Sequence, residues 1–89
     1  MDKQINLSKL RSEINEIDEK LLGLLKKRFE ISCEVGKYKL ANRLAIEDKK
    51  REEGIIKFRI NSSGLNKNFI MGLFEVIFKE SKRIQMGLK

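Results

Sequence analysis

Basic residues interrupt an apolar stripe in the first half of the chain. The stripe advances by three or four residues, as one face of a helix does, and comprises Leu7, Leu10, Ile14, Ile17, Leu21, Leu24, Ile31, Val35 and Tyr38. Arg28 occupies the position missing after Leu24, and Lys39 follows close to three helical turns later. Both cations therefore share a face, about 16 Å apart along the axis. They could hold one anionic ligand between them, although a lone basic side chain also lies along apolar surfaces with its charge in water.

Two further groups of polar residues lie at helical spacing. Ser81 and Gln85 lie one turn apart, in line with an apolar stripe that precedes them. Taken singly, this pair is more simply explained by a helix end that turns toward solvent. Asp48, Arg51 and Glu52 share one side of another predicted helix. A solvated face with an ordinary ion pair is the simpler interpretation of these three alone.

Arg11 lies 17 residues before Arg28, or about 25 Å away on one helix. One helix cannot bring both arginines to one small ligand. An antiparallel neighbouring helix in a dimer would allow it.

The residue types exclude several kinds of site. The chain has no histidine and one cysteine, Cys33. Histidine-based metal centres and Ser-His or Cys-His nucleophilic pairs are therefore excluded, and Cys33 is expected to be a packing residue. No glycine-rich phosphate loop occurs. What remains is a set of cations with an amide, a hydroxyl and two carboxylates, which suits binding of a small polyanion. We expect no metal and no cofactor.

The composition indicates one small helical protein. The 89 residues include no proline, and Lys and Arg outnumber Asp and Glu by 20 to 13, a net charge of +7. We expect one all-α domain, residues 1–89. The single cysteine favours a reducing compartment, and there is no signal-peptide pattern and no apolar run long enough to span a membrane. These features predict a cytoplasmic protein without membrane partners.

Three helices must position the polar residues. We predict a first helix from about Leu7 to about Ala41, begun by Asn6 or Ser8. A second should run from Glu47 or Asp48 to about Asn61, where Asn61-Ser62-Ser63-Gly64 signals a break. A third should run from Asn66 or Lys67 to Met86, with an apolar stripe of Phe69, Ile70, Leu73, Phe74, Ile77, Phe78, Ile84 and Leu88. Because two shorter helices cannot cover both sides of the long one, we predict an intertwined helical homodimer.

The sequence resembles the all-helical chorismate mutases, the type also found at the N-terminus of bacterial bifunctional mutase–prephenate dehydratases. The resemblance covers nearly the whole chain and rests on "LRSEINEIDEKLLGLLKKRFEISCEVGKYK", "DKKRE" and "SKRIQ". It implies a dimer with two equivalent sites, no cofactor, and rearrangement of chorismate to prephenate in the phenylalanine and tyrosine branch of aromatic amino acid biosynthesis.

The resemblance also implies a role for each polar residue. Arg28 would hold one substrate carboxylate, and Arg11 from the partner chain another. Lys39 would contact the ether oxygen and a carboxylate, and Gln85 would donate to the same ether oxygen. Glu52, helped by Asp48, would bind the ring hydroxyl. Ser81 and Arg51 would complete the polar wall, and Val35 and Phe78 would pack against the ring.

Two other functions stay open from the sequence. Isochorismate–pyruvate lyases resemble these mutases and also use a cationic helical pocket. A basic helical module that binds nucleic acid or protein would explain the net charge, but it does not explain polar residues in register on three helices. The basic residues are spread evenly, without the long block typical of a nucleic-acid arm, so we expect no nucleic acid partner.

Overall fold

Three α-helices form the structure, a computed structural model that describes residues 6–88. They are α1 (Leu7–Ala41), α2 (Lys49–Ser63) and α3 (Lys67–Met86). The predicted all-α fold with one long and two shorter helices is confirmed. With 35 residues, α1 is about 52 Å long. It sets the longest dimension of the chain, which measures 64 × 25 × 15 Å.

Each helix begins at a residue whose side-chain oxygen accepts a hydrogen bond from a backbone N–H three residues later. These residues are Asn6, Asp48 and Asn66. Such caps satisfy one of the N–H groups that the first turn leaves without an intrahelical partner. Asp48 thus has a structural role at the start of α2, in addition to any role toward a ligand.

Helix α2 extends two residues beyond its predicted end near Asn61. The helix continues through Ser62 and ends at Ser63. Asn and Ser have modest helix propensity but do not force the backbone out of a helix. The chain leaves the helix only at Gly64, which adopts φ +70°, a left-handed conformation that glycine adopts without the steric cost of a Cβ.

The third helix lies between the other two. Helix α3 packs against both α1 and α2, whereas α1 and α2 make no packing contact with each other along the described chain. The buried apolar side chains are Ile70, Ile77 and Phe78, all on α3. The apolar stripe predicted for α3 is only partly buried, because Phe69 and Leu73 remain exposed. The gap between α1 and α2, floored by α3, is where a ligand can enter.

Gly36 lets α1 and α3 approach closely. A Cβ at Gly36 would lie 2.7 Å from Gln85 Cγ and 2.9 Å from Leu88 Cδ1, distances that real side chains do not reach without movement of a neighbour. The close approach brings the end of α3 against the C-terminal part of α1. The position of Gln85 therefore depends on this close approach of the two helices.

The apolar stripe along the first half of α1 is not buried within its own chain. Every side chain of residues 7–24 is exposed, including Leu10, Ile14, Ile17, Leu21 and Leu24. The radius of gyration is 17.6 Å, whereas a compact domain of this length would have about 12 Å. None of the helices described has an apolar stretch sufficient to cross a lipid bilayer.

Candidate functional site

A cavity of ≈ 350 Å³ opens in the gap between α1 and α2. Nine of the ten predicted site residues line it: Arg28, Val35, Lys39, Asp48, Arg51, Glu52, Phe78, Ser81 and Gln85. Its volume lies at the lower end of the range of about 300–1,000 Å³ typical of small-molecule sites. The polar residues that the sequence places on three separate helices therefore meet around one space.

The wall from α1 follows one helix face. Arg28, Ser32, Val35 and Lys39 are spaced by four, three and four residues and all line the cavity, as residues on one side of a helix must. The wall from α3 comprises residues 78, 81, 82 and 85, which also share one helix face. Helix periodicity thus places each set on one helix face, and the packing of α3 against α1 brings the two faces together.

Arg28 extends across the gap to α3 instead of toward bulk water. Its guanidinium donates to Ser81 Oγ at 3.4 Å and lies 5.9 Å from the centre of the Phe78 ring. Burial, together with the charges of Arg59 and Arg51, lowers the pKa of Arg28 below its ordinary value. This cluster of like charges is unfavourable without a counterion, so a bound anion would relieve the repulsion.

Lys39 is held at the mouth of the cavity by the connection between α1 and α2. Its Nζ donates to the backbone carbonyl of Ile46 at 2.8 Å. An ammonium group has three N–H donors, so this bond orients Lys39 and leaves donors for a ligand. Ile46 itself lines the cavity, and the connection thereby forms part of the site.

Gln85 and Ser81 are buried, with exposed fractions of 5% and 9%. The interpretation of this pair as a helix end that turns toward solvent is therefore wrong. Gln85 Nε2 donates to the Ser32 carbonyl oxygen at 2.9 Å and lies 3.0 Å from Ser32 Oγ. Because the end of α3 packs closely on Gly36, its polar side chains meet α1 instead of water.

The residues of α2 form the third wall. Asp48 Oδ1 accepts a hydrogen bond from the Arg51 backbone N–H at 3.0 Å, and Glu52 Oε2 lies 3.4 Å from Lys82 Nζ. The ion pair of Glu52 is thus made with α3 and not within its own helix. Burial acts to lower the pKa of Lys82, but its hydrogen bond with Glu47 and the charge of Glu52 outweigh this effect and raise it.

Arg11 is the predicted site residue that does not line the cavity. It is exposed, in the part of α1 (residues 7–24) where every side chain is exposed. Its distance from Arg28 along the helix is about 25 Å. Within one chain it cannot reach a ligand in the cavity.

Five lining residues were not predicted as site residues: Ile31, Ser32, Ile46, Ile55 and Lys82. For Ser32 and Lys82 the helical spacing in the sequence was a signal that could have identified them. Ser32 follows Arg28 by one turn, and Lys82 follows Phe78 by one turn, so both share the face of a predicted residue. Ile46 lies in the irregular connection, where no periodicity indicates which way a side chain points.

The charge of the cavity wall matches a dicarboxylate. Four cationic and two carboxylate side chains line it, a net charge of +2. With no histidine in the chain, no imidazole activates the Ser81 hydroxyl as in a Ser-His pair, and this hydroxyl accepts a hydrogen bond from Arg28. The arrangement can bind and orient a dianion and can stabilise negative charge that develops on one of its oxygens.

Comparison with known proteins agrees with this chemistry. The family model for chorismate mutase type II matches residues 10–86. The bifunctional chorismate mutase/prephenate dehydratase of Escherichia coli (strain K12) is 37% identical over 82 residues, covering 89% of this chain and 21% of that protein. The protein of the same name from Buchnera aphidicola subsp. Schizaphis graminum (strain Sg) is 34% identical over 91 residues, covering 99% of this chain and 24% of that protein. The chain thus spans less than a quarter of the length of these curated relatives.

Proposed function

Because the chain belongs to the type II chorismate mutase family, we propose that it catalyses the rearrangement of chorismate to prephenate and acts as one mutase domain. The observation that carries the proposal is the convergence of Arg28, Lys39 and Gln85 from two helices on one cavity of net charge +2. Chorismate is a dianion with two carboxylates and an ether bridge, so its charge and its hydrogen-bond acceptors complement this wall.

The reaction is a unimolecular pericyclic shift. It needs no nucleophile, general base or cofactor, because bonds break and form within one molecule. The enzyme must fold the extended substrate into a chair-like shape. Arg28 binds one carboxylate, and the cation at the second carboxylate fixes the other end, so that the reacting carbons are held close together.

Charge separates as the ether C–O bond breaks, and the oxygen gains negative charge. Lys39 and Gln85 donate to this oxygen. Lys39 is already oriented by its hydrogen bond to Ile46 and keeps further N–H donors for this oxygen, which is the condition for efficient electrostatic stabilisation. Gln85 is positioned by Ser32, and one of its N–H groups turns from the Ser32 hydroxyl to the ether oxygen when the substrate binds.

The other walls recognise the rest of the substrate. Glu52 accepts a hydrogen bond from the ring hydroxyl, with Asp48 beside it. The remaining proposed contacts are Ser81 and Arg51 in the polar wall, and Val35 and Phe78 against the ring.

The proposed active species is a homodimer in which the partner subunit's Arg11 completes each site. Two observations support it. Arg11 lies about 25 Å from Arg28 along α1, so a second chain must supply the guanidinium. The apolar side chains of residues 7–24 are exposed in the single chain, and two such helices packed together would cover them.

The test is incubation of the purified protein with chorismate and, separately, with isochorismate. We expect chorismate absorbance to fall while prephenate appears in equal amount, and we expect Arg28→Ala to abolish the conversion. Release of pyruvate from isochorismate without formation of prephenate would instead identify the lyase activity of the same fold. Failure to consume chorismate would contradict the proposal.

A further inference from the structure

Lys82 joins three parts of the chain at the wall of the cavity. It lies on α3, and its Nζ is 3.3 Å from Glu47 Oε1 in the connection between α1 and α2 and 3.4 Å from Glu52 Oε2 in the first turn of α2. The side chains of Lys82 and Glu52 are 32% and 23% exposed. This pair is therefore less screened by water than an ordinary surface ion pair.

The Glu52 side chain borders two cavities. Together with Phe78 and Lys82 it lines both the cavity described above and a second cavity of ≈ 280 Å³. The second cavity is also lined by Glu47, Glu53 and Glu75. Without a fixed partner, the Glu52 carboxylate would have room to rotate away from the first cavity, and as an unpaired anion it would repel a dianionic ligand.

We propose that Lys82 is a positioning residue that holds the Glu52 carboxylate at the wall of the substrate cavity. This inference rests on the mutase function proposed above. Lys82 acts through Glu52: it fixes the direction of the acceptor for the ring hydroxyl, and it offsets the negative charge of that acceptor. The ring hydroxyl does not change during the rearrangement. The effect should therefore stabilise bound substrate and transition state equally, and appear in KM instead of kcat.

The test is a double-mutant cycle between Lys82 and Glu52, read as KM and kcat. Lys82→Met keeps an unbranched side chain of nearly the same length and removes its charge. We expect it to raise KM about two- to fivefold, the range that a partly exposed ion pair supports, with kcat nearly unchanged. Lys82→Arg should restore the wild-type KM. In a Glu52→Gln background, Lys82→Met should leave KM unchanged, because a neutral amide does not need the ammonium.

Lys79→Met is the matched control, since Lys79 is an exposed lysine of α3 that lines neither cavity. Thermal unfolding shows which variants are folded, and Lys82→Gln replaces Lys82→Met if the latter does not fold.

An unchanged KM in Lys82→Met would overturn the inference. An equal rise in KM in the Glu52→Gln background would also overturn it, because Lys82 would then act on the substrate without Glu52. Wild-type protein that does not convert chorismate contradicts the proposed function itself, and wild-type turnover is measured first for that reason.

Discussion

Lys39 and Gln85 are both held in place by backbone carbonyl groups. Ile46 accepts from the lysine ammonium and Ser32 from the glutamine amide. Lys39 keeps further N–H donors for a ligand. The N–H groups of the Gln85 amide face the carbonyl and hydroxyl oxygens of Ser32, so in the proposed reaction one of them must leave the Ser32 hydroxyl to reach the oxygen that gains charge.

Replacement of Lys39 by alanine tests its role at the breaking bond. We expect Lys39→Ala to lower kcat by about 10²–10³-fold, the usual cost of removing one donor from a developing negative charge. The helix should persist, because alanine has the highest helix propensity. Lys37→Ala is the control, since Lys37 is exposed and pairs only with Glu34 among the described residues. Turnover of Lys39→Ala within threefold of wild type would rule out this role.

Gln85→Glu tests whether the amide donates to the ether oxygen. An amide has no proton to lose in the working pH range, whereas a glutamate donates only when protonated, and its unperturbed pKa is about 4.3. The neighbouring Ser32 carbonyl and the burial of this position would favour the protonated form. We expect wild-type turnover to be nearly flat from about pH 5 to pH 8 and Gln85→Glu to be active mainly on the acid side. Both pH–rate profiles are measured on protein shown by circular dichroism to stay folded, and full turnover of the variant at pH 8 would exclude the donor role.

At the scale of the helices, the contact between α1 and α3 decides the shape of the site. It depends on Gly36, where the backbone of α1 meets the side chains of Gln85 and Leu88. If α3 moved outward to make room for a larger residue, Gln85 would move away from Ser32. Stability and catalysis are therefore both sensitive to this one position.

We expect Gly36→Ala to lower the free energy of unfolding by about 1–3 kcal/mol, as overpacking usually does, although alanine itself favours a helix by about 1 kcal/mol. Turnover should fall as well, because Gln85 is displaced. Gly54→Ala is the matched control: a Cβ there would meet nothing within 4 Å in this chain, so we expect a gain of about 0.5–1 kcal/mol. Denaturant unfolding measures both, and a Gly36→Ala protein as stable as Gly54→Ala would contradict the close packing.

The sequence predicts what local periodicity determines. It predicts three helices, the shared face of Arg28 and Lys39, and caps such as Asn6, because these depend on neighbours within a few residues. It does not predict that Gln85 is buried, because that depends on how closely another helix approaches Gly36. It also does not predict Ile46, since an irregular connection has no repeating pattern.

At the scale of the whole chain, the first half of α1 extends beyond the rest of the structure. Its apolar side chains are exposed, and Leu24 has an exposed fraction of 66%. Arg11 lies on this extension, far from the cavity of its own chain. A single chain therefore has both an uncovered apolar surface and a site that lacks one proposed cation.

Mixing two inactive variants tests whether the site is shared. Arg11→Ala and Arg28→Ala should each be nearly inactive, because every site in either homodimer lacks one arginine. A heterodimer of the two regains one intact site, while its other site lacks both arginines, so partial activity should return on mixing. Mass spectrometry of the mixture establishes that subunits have exchanged. Activity that stays at zero after exchange, or a folded and active monomer at micromolar concentration, would refute the shared site.

Because the first half of α1 is exposed, we expect the lifetime of the protein in the cell to depend on its concentration. A chain that has not met a second copy presents an apolar helix whose side chains at residues 7–24 are all exposed, and such a helix frays readily and is open to cleavage. Formation of the proposed homodimer would remove this vulnerability by mass action. At low expression, proteolysis should therefore remove unpaired chains faster than they associate, so that cellular activity falls more steeply than the rate of synthesis.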